Sequence, residues 1–239
     1  MTLAGCCTTL NSIVTKSNKN LLLAVDPSLT CTGWALFSLD HQKPLCYGTL
    51  RAPGTKFSMS QRLSKLQQMT EELFSELSLS NDDFLVCEGP AQLVLNPQSS
   101  LKVERVRSLF ESIARTRGVI VPGRLNPRTV QTEILGMRGA QLKRDEVKRW
   151  ARATVERLFG KELKKAEVSV DGTEGQIVSQ DCIDAILIGV LASSRIVNAW
   201  KTGSDPMSAF VEKTASGNRR NGYGAPRFAA IPSSKRKMS

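Results

Sequence analysis

Apolar and polar positions follow two rhythms along this chain. Residues 21–25, 34–39 and 45–50 are short apolar-rich runs separated by turn-forming residues. That pattern predicts three strands joined as an antiparallel meander. Met59, Leu63, Leu66, Leu73 and Leu77 then recur at mostly three-to-four spacing, the mark of an amphipathic helix. Residues 84–87 are continuously apolar and end on Glu88, a buried strand with an acid at its tip. Residues 98–117 read as a basic helix and 118–121 as a short strand. Residues 127–135 and 144–159 read as two further helices. The second carries Asp145 and Glu146 in its first turn, where the helix dipole favours acids. Residues 181–197 are strongly apolar and helical. The order β-β-β-α-β-α-β-α-α-α predicts an α/β fold: a mixed five-stranded sheet flanked by helices.

The ends differ from the middle. Residues 1–20 form a flexible leader rich in Ser and Thr, without an acid, an Arg or a continuous apolar stretch. Secretion is not expected from it, whereas an organellar address stays open. Residues 201–239 are expected to be a disordered basic tail. From 213 onward it carries seven Lys or Arg and no acid. The domain proper is placed at 21–200. No run reads as long enough to span a bilayer, so no membrane partner is expected.

Charge narrows the partners. The net charge is +11 and hydrophobic residues make up 41% of the chain. A packed core with a strong basic excess points to a polyanion, most often nucleic acid. Six cysteines occur without a C-x-x-C pair. Cys31, Cys46, Cys87 and Cys182 lie in or beside apolar segments and read as small hydrophobes of a reduced compartment, cytoplasmic unless the leader redirects the chain. One histidine, His41, sits in the polar turn LDHQKP. A multi-histidine metal site is excluded, and a Ser-His-Asp hydrolase would have to use this loop residue.

Chemistry then falls to carboxylates. Asp26 ends the first apolar run, Glu88 ends the fourth, and Asp181 and Asp184 stand three apart in QDCIDAILIG. Three-residue spacing on a helix turns both acids to one face. Neighbouring parallel strands would set Asp26 beside Glu88 at their carboxyl ends, where open α/β sheets place ligand sites. Clustered carboxylates repel unless a cation neutralises them. Two divalent ions would do so and would clamp a phosphodiester, and oxygen ligands suit Mg²⁺ or Mn²⁺. Each acid also has an ordinary role open to it. Strand-end Asp makes turns, Asp181 fits a helix N-cap, and Asp184 could complete a capping pattern.

Taken in order, these motifs resemble a known family. AVDPSLTCTGWAL, LVCEGP, TVQTEILGMRGAQLKRDEVKRWAR and QDCIDAILIG resemble the successive motifs of the RuvC Holliday-junction resolvases, from about residue 21 to 197. The resemblance implies an RNase H-like fold, a homodimer, and Mg²⁺-dependent paired nicking of four-way DNA junctions that leaves 5′-phosphate ends. Asp26, Glu88, Asp181 and Asp184 would hold two Mg²⁺ ions, with Mn²⁺ as a substitute. Lys143 or Arg144 would sit near the scissile phosphate. Arg105, Arg107, Arg115, Arg117, Lys148, Arg149 and Arg152 are candidate DNA contacts. Part of 98–117 would face a partner subunit. Ser28 departs from the family's glycine after Asp-Pro. Gly89, Pro90 and Ala91 stand where cellular members place an aromatic wedge.

Other readings share these features. A broader branched-DNA nuclease fits the missing wedge. A non-catalytic DNA-binding module could use the same fold. An actin-like ATPase would need a second phosphate loop and an adenosine site, and neither is present in the sequence. Transposases of this fold generally carry further DNA-binding domains, for which the tails are too short. A nuclease for RNA–DNA hybrids is separated only by its substrate.

Overall fold

Five strands build one mixed sheet in the computed structural model, which describes residues 20–90, 97–137, 143–165 and 178–211. They are β1 (Leu21–Asp26), β2 (Cys31–Ser38), β3 (Lys43–Arg51), β4 (Phe84–Glu88) and β5 (Arg124–Leu125), in the spatial order β3-β2-β1-β4-β5. The first three form the antiparallel meander, and β4 joins β1 in parallel. The helices are α1 (Met59–Glu76), α2 (Pro97–Thr116), α3 (Pro127–Glu133), α4 (Arg144–Lys165) and α5 (Gln180–Lys201), followed by a 3₁₀ turn at Pro206–Phe210. The element order is the predicted one.

Strand alternation decides what each face carries. Leu21, Leu23 and Val25 of β1, with Leu85 and Cys87 of β4, point into the core roofed by α1 and α2. Leu22 and Ala24, with Phe84 and Val86, point to the other face, where α4 and α5 pack. Continuing the even count by one step brings Asp26 and Glu88 to the α5 face. The β1–β4 register pairs Val25 with Cys87, so the two acids follow side by side.

The start of the same strand pair is pinned by another acid. Asp83 is buried and its carboxylate accepts the Leu21 amide at 2.7 Å and the Ser80 amide at 2.8 Å. Asp82 and Asp83 thus lie away from the Glu88 end.

Four expectations are corrected. The fifth strand is not 118–121. Ile120 makes only an isolated parallel bridge to Phe84, and pairing resumes at Arg124–Leu125. Pro122 has no amide to donate, and a Cβ at Gly123 would lie 2.5 Å from that of Phe210, so the chain bends there around Phe210. The folded unit also runs to Val211, past the expected boundary at 200, because Phe210 is buried in the α5 core. Helix α4 continues to Lys165, beyond 159. Finally, α5 is long and apolar enough, by length and composition, to cross a bilayer. Two thirds of that stretch is buried inside the fold, which is what a core helix requires. The leader, the 91–96, 138–142 and 166–177 segments, and the tail from 212 lie outside the described residues.

Cys31, Cys46, Cys87 and Cys182 are buried. Burial pushes Cys31, Cys87 and Cys182 above the ordinary thiol range, so they pack as neutral groups.

Candidate active site

Asp26 is the last residue of β1 and faces Gly33 of β2 across the antiparallel pair. Gly33 shares the α5 face but presents no side chain there. A Cβ at Gly33 would meet the Asp181 carbonyl oxygen at 2.0 Å. The missing side chain therefore lets the first turn of α5 settle directly on β2, next to Asp26. Further along the same crossing, Gly189 of α5 does the converse and makes room for the Phe37 ring. Together the two glycines let the helix approach the sheet closely.

The first turn of α5 is capped by Ser179, whose hydroxyl accepts the Cys182 amide at 3.3 Å. Asp181 and Asp184 are thus not needed as caps. Asp184 accepts a 2.8 Å hydrogen bond from Gln180 and turns toward the sheet acids. Asp26, Glu88, Asp181 and Asp184 converge from three elements far apart in sequence.

Their electrostatics show how close they are. Asp26 is pushed up to about 7, first by burial and then by the charges of Asp184 and Asp181. Glu88 is raised well above the usual carboxylate range by burial, Asp26 and Asp184. Asp184 is pushed up to about 6 by burial, with Asp181 adding to it and the Gln180 hydrogen bond, Lys148 and Arg144 opposing. Asp26 and Glu88 are close enough for each to act on the other's proton affinity. Among the described residues, no three Asp, Glu, His or Cys side chains stand as a ready-made metal shell. In donor type the set fits a hard divalent ion: oxygen ligands only, rigidly carried, with Arg107 favouring the charged forms of Asp26 and Glu88, and Lys148 and Arg144 that of Asp184.

The basic residues divide. Arg144 and Lys148, one turn apart on α4, both favour the charged form of Asp184 and so belong to the site. Lys143 is exposed just before α4, with its backbone amide on the Glu146 carboxylate. Arg149 is exposed on α4, and Arg105 is exposed on α2. Arg152 donates to the Val178 carbonyl at 2.8 Å and braces the approach to α5. Arg115 lies in the last turn of α2 and Arg117 just past it, beside the start of β4, the far end of the sheet from Glu88. Arg115 pairs with Glu111, and Arg117 donates to the Glu71 carbonyl.

Arg107 requires a correction. It is 1% exposed and cannot be a DNA contact. Its Nε donates to the Glu88 carbonyl at 2.6 Å, and its Nη1 pairs with Glu104. Its charge favours the ionised forms of both Asp26 and Glu88. A second arginine, Arg124, ties β5 into the same network through Glu111 at 2.6 Å and Glu104 at 3.0 Å. Burial pushes Glu111 up, but its bonds to Arg124 and Arg115 carry it below the ordinary value. Arg107 and Gly33 are the site residues whose roles sequence reasoning missed. A glycine inside an apolar strand was the available signal for the second.

No protein-family model matches the chain. RuvC of Sphingopyxis alaskensis, a crossover junction endodeoxyribonuclease, is 24% identical over 174 residues, 71% of this chain and 94% of that protein. Two structures of Thermus thermophilus RuvC are similar. One has a TM-score of 0.52 at 14% identity over 77% of this chain and 97% of that one. The other, in complex with a Holliday junction substrate, has a TM-score of 0.51 at 15% identity over 71% and 90%. The chain has the RuvC fold. It is thus RNase H-like, as the sequence motifs implied.

Proposed function

We propose that this chain is a RuvC-type endodeoxyribonuclease that resolves four-way DNA junctions by paired symmetric nicks, acting as a homodimer in a reduced compartment. One observation carries the reading. Asp26 and Glu88 end adjacent parallel strands on one face, and α5 delivers Asp181 and Asp184 against them. Such a cluster costs stability by itself, so it is best understood as a cation site kept for chemistry.

The four acids would hold a divalent metal, by preference two Mg²⁺ ions with Mn²⁺ as an alternative. Bound there, the metal would supply Lewis-acid charge to a phosphodiester and lower the pKa of an attacking water. The protein's own part is positional. The β1–β4 pair fixes two carboxylates, and the capped first turn of α5 fixes two more. Arg107 holds the Glu88 backbone from behind. Arg144 and Lys148 reach the cluster from α4 and are placed to attract a phosphate and to stabilise charge developing on it. Lys143, Arg149 and Arg105 are exposed cations available to the DNA backbone.

The test is cleavage of labelled DNA in Mg²⁺, with a four-way junction, a three-way branch, a linear duplex and an RNA–DNA hybrid, each beside the Glu88→Gln variant. Symmetric nicks in the junction, absent from the variant, are expected. Equal cutting of three-way branches would replace the junction reading with a broader branched-DNA nuclease. Binding without cutting would leave a DNA-binding module on the same fold.

A further inference from the structure

The edge strand β3 ends at the same edge of the sheet as the acids. It is antiparallel to β2, which is antiparallel to β1, so β1 and β3 run the same way. Asp26, Gly33 and Thr49 stand in one row across the three strands. Arg51 closes β3 two residues further out, opposite Cys31. Cys46 and Leu50 point into the core under α1 and α2, whereas Tyr47 packs on the opposite side. Alternation therefore turns Arg51 to the Tyr47 side, which is the face of α5 and the acids. Arg51 is exposed there. Two strand spacings of about 4.8 Å and two residues of about 3.3 Å put its backbone about 12 Å from that of Asp26.

The loop that follows Arg51 is held in place. Arg62 of α1, itself buried, donates from Nε to the Pro53 carbonyl at 2.8 Å and from Nη2 to the Leu29 carbonyl at 3.4 Å. Leu29 belongs to the loop that leaves Asp26, so one guanidinium fastens both loops at the acid edge. Beside Leu29, the Thr32 hydroxyl donates to the Ser28 carbonyl at 2.7 Å and accepts the Ser28 amide at 3.1 Å. In the other loop the Phe57 amide closes a turn onto the Gly54 carbonyl at 3.1 Å, and Ser58 and Gln61 cap α1 reciprocally. That loop also carries the exposed Lys56. From 41 to 70 the chain has Lys43, Arg51, Lys56, Arg62 and Lys65 and no Asp or Glu. A stretch of one sign thus borders the four acids.

We propose that Arg51 is a phosphate contact for the DNA strand that crosses the acid cluster, with Lys56 continuing the basic edge beyond it. The contact presupposes the junction-nuclease reading and adds to it an anchor carried by the sheet itself. Four carboxylates repel a phosphate backbone until metal is bound, so a strand laid over them must be held by cations beside them. The strand and the braced loop fix where Arg51 stands, so it meets one phosphate and not a diffuse set. At about 3.4 Å per nucleotide, a separation of about 12 Å places that phosphate three to four nucleotides from the scissile one.

The experiment measures junction binding by the full-length protein in EDTA across a salt series, and maps the nick in Mg²⁺. Arg51→Gln is expected to reduce the slope of log K against log salt by roughly 0.9, with about eightfold weaker binding at about 0.1 M salt. Arg51→Lys keeps the charge and should keep the slope. Both variants should melt at the wild-type temperature, since the residue is exposed. Neutral methylphosphonates are then placed one at a time, up to about six phosphates from the mapped nick. One of them, about three to four nucleotides away, should weaken wild type and leave Arg51→Gln unaffected. A slope unchanged in Arg51→Gln overturns the contact alone. A lowered slope with no phosphate whose neutralisation spares the variant overturns it too and makes Arg51 part of a general field. A lowered melting temperature with an unchanged slope also overturns it and makes Arg51 a structural residue of the sheet edge. Wild type that fails to bind or to nick the junction overturns the functional reading, and this contact with it.

Discussion

The two ends of the β1–β4 pair both carry buried acid chemistry, and they are built oppositely. At the starting end, Asp83 accepts the amides of Leu21 and Ser80 and the Ser80 hydroxyl. The Leu21 bond ties β1 to the start of β4, and the Ser80 bonds close the turn before it. At the other end, Asp26 faces Glu88, Asp184 and Asp181, and its neighbours oppose its charge. The residue type is the same and both positions lie at strand ends. What differs is whether the surroundings donate hydrogen bonds or repel. The first arrangement stabilises the fold. The second weakens it until a cation or a proton arrives, and that is the signature of a working site.

Charge removal breaks the comparison most sharply. Asp26→Asn and Glu88→Gln should each lower junction cleavage on the order of 10³-fold or more while leaving junction binding within a few-fold. Both should raise the melting temperature of the metal-free protein at pH 8, because repulsion is relieved. Asp83→Ala should do the reverse. It strands buried donors and costs about 3 kcal/mol of stability, yet folded protein should cut at near wild-type rate. Cleavage assays beside denaturant titrations test the split, and a destabilised Glu88→Gln would contradict it.

The next prediction concerns pH. Asp26, pushed up to about 7 from an ordinary 3.8, binds its proton more tightly folded than unfolded. The stability this gives is fully present below about pH 4 and is lost as pH rises through 7. For Asp26 alone the loss is at most roughly 4 kcal/mol, at 1.36 kcal/mol per pKa unit. Glu88 and Asp184 shift in the same direction. Urea titrations in EDTA should therefore show stability falling from pH 5 to pH 8. Added Mg²⁺ should restore it at pH 8 and do little at pH 5. A flat profile in EDTA would mean that neither burial nor neighbouring charge raises the proton affinity of these acids in the folded state.

The acids were readable in the sequence because their cause is local. An apolar run that ends on Asp26 or Glu88 states both the strand and its tip, and three-residue spacing states the face of α5. Arg107 was not readable. In an amphipathic helix of mixed charge its spacing resembles that of any solvated arginine, and only the approach of the Glu88 carbonyl and Glu104 explains its burial. The fifth strand was misplaced for a similar reason. Residues 118–121 have strand composition, but Pro122 and the packing of Phe210 at Gly123 defer pairing to Arg124. Gly33 lies between these cases, since its need for space is visible only once α5 is in place. Gly33→Ala should cost about 1–3 kcal/mol through overpacking. It should also lower kcat more than substrate affinity, because the shift falls on Asp181. An unchanged kcat in a destabilised protein would show that α5 tolerates the displacement.

The smallest effect separates the basic residues of the two ends. Arg117 lies at the Asp83 end, 5.9 Å above the Phe74 ring, and donates to the Ser75 hydroxyl at 2.9 Å. Its contacts are all internal, so Arg117→Gln should cost up to about 1 kcal/mol of stability. It should leave the salt dependence of junction binding untouched. Arg144 is exposed at the acid end. Arg144→Gln should change stability by less than about 0.5 kcal/mol while reducing the salt slope by roughly 0.9, the release expected for one phosphate contact. The pair gives a directional test, because a DNA strand passing over the acids touches one arginine and not the other. A slope lowered by Arg117→Gln would carry DNA to the far end of the sheet and away from the cluster. The acids would then need another explanation for their raised proton affinity.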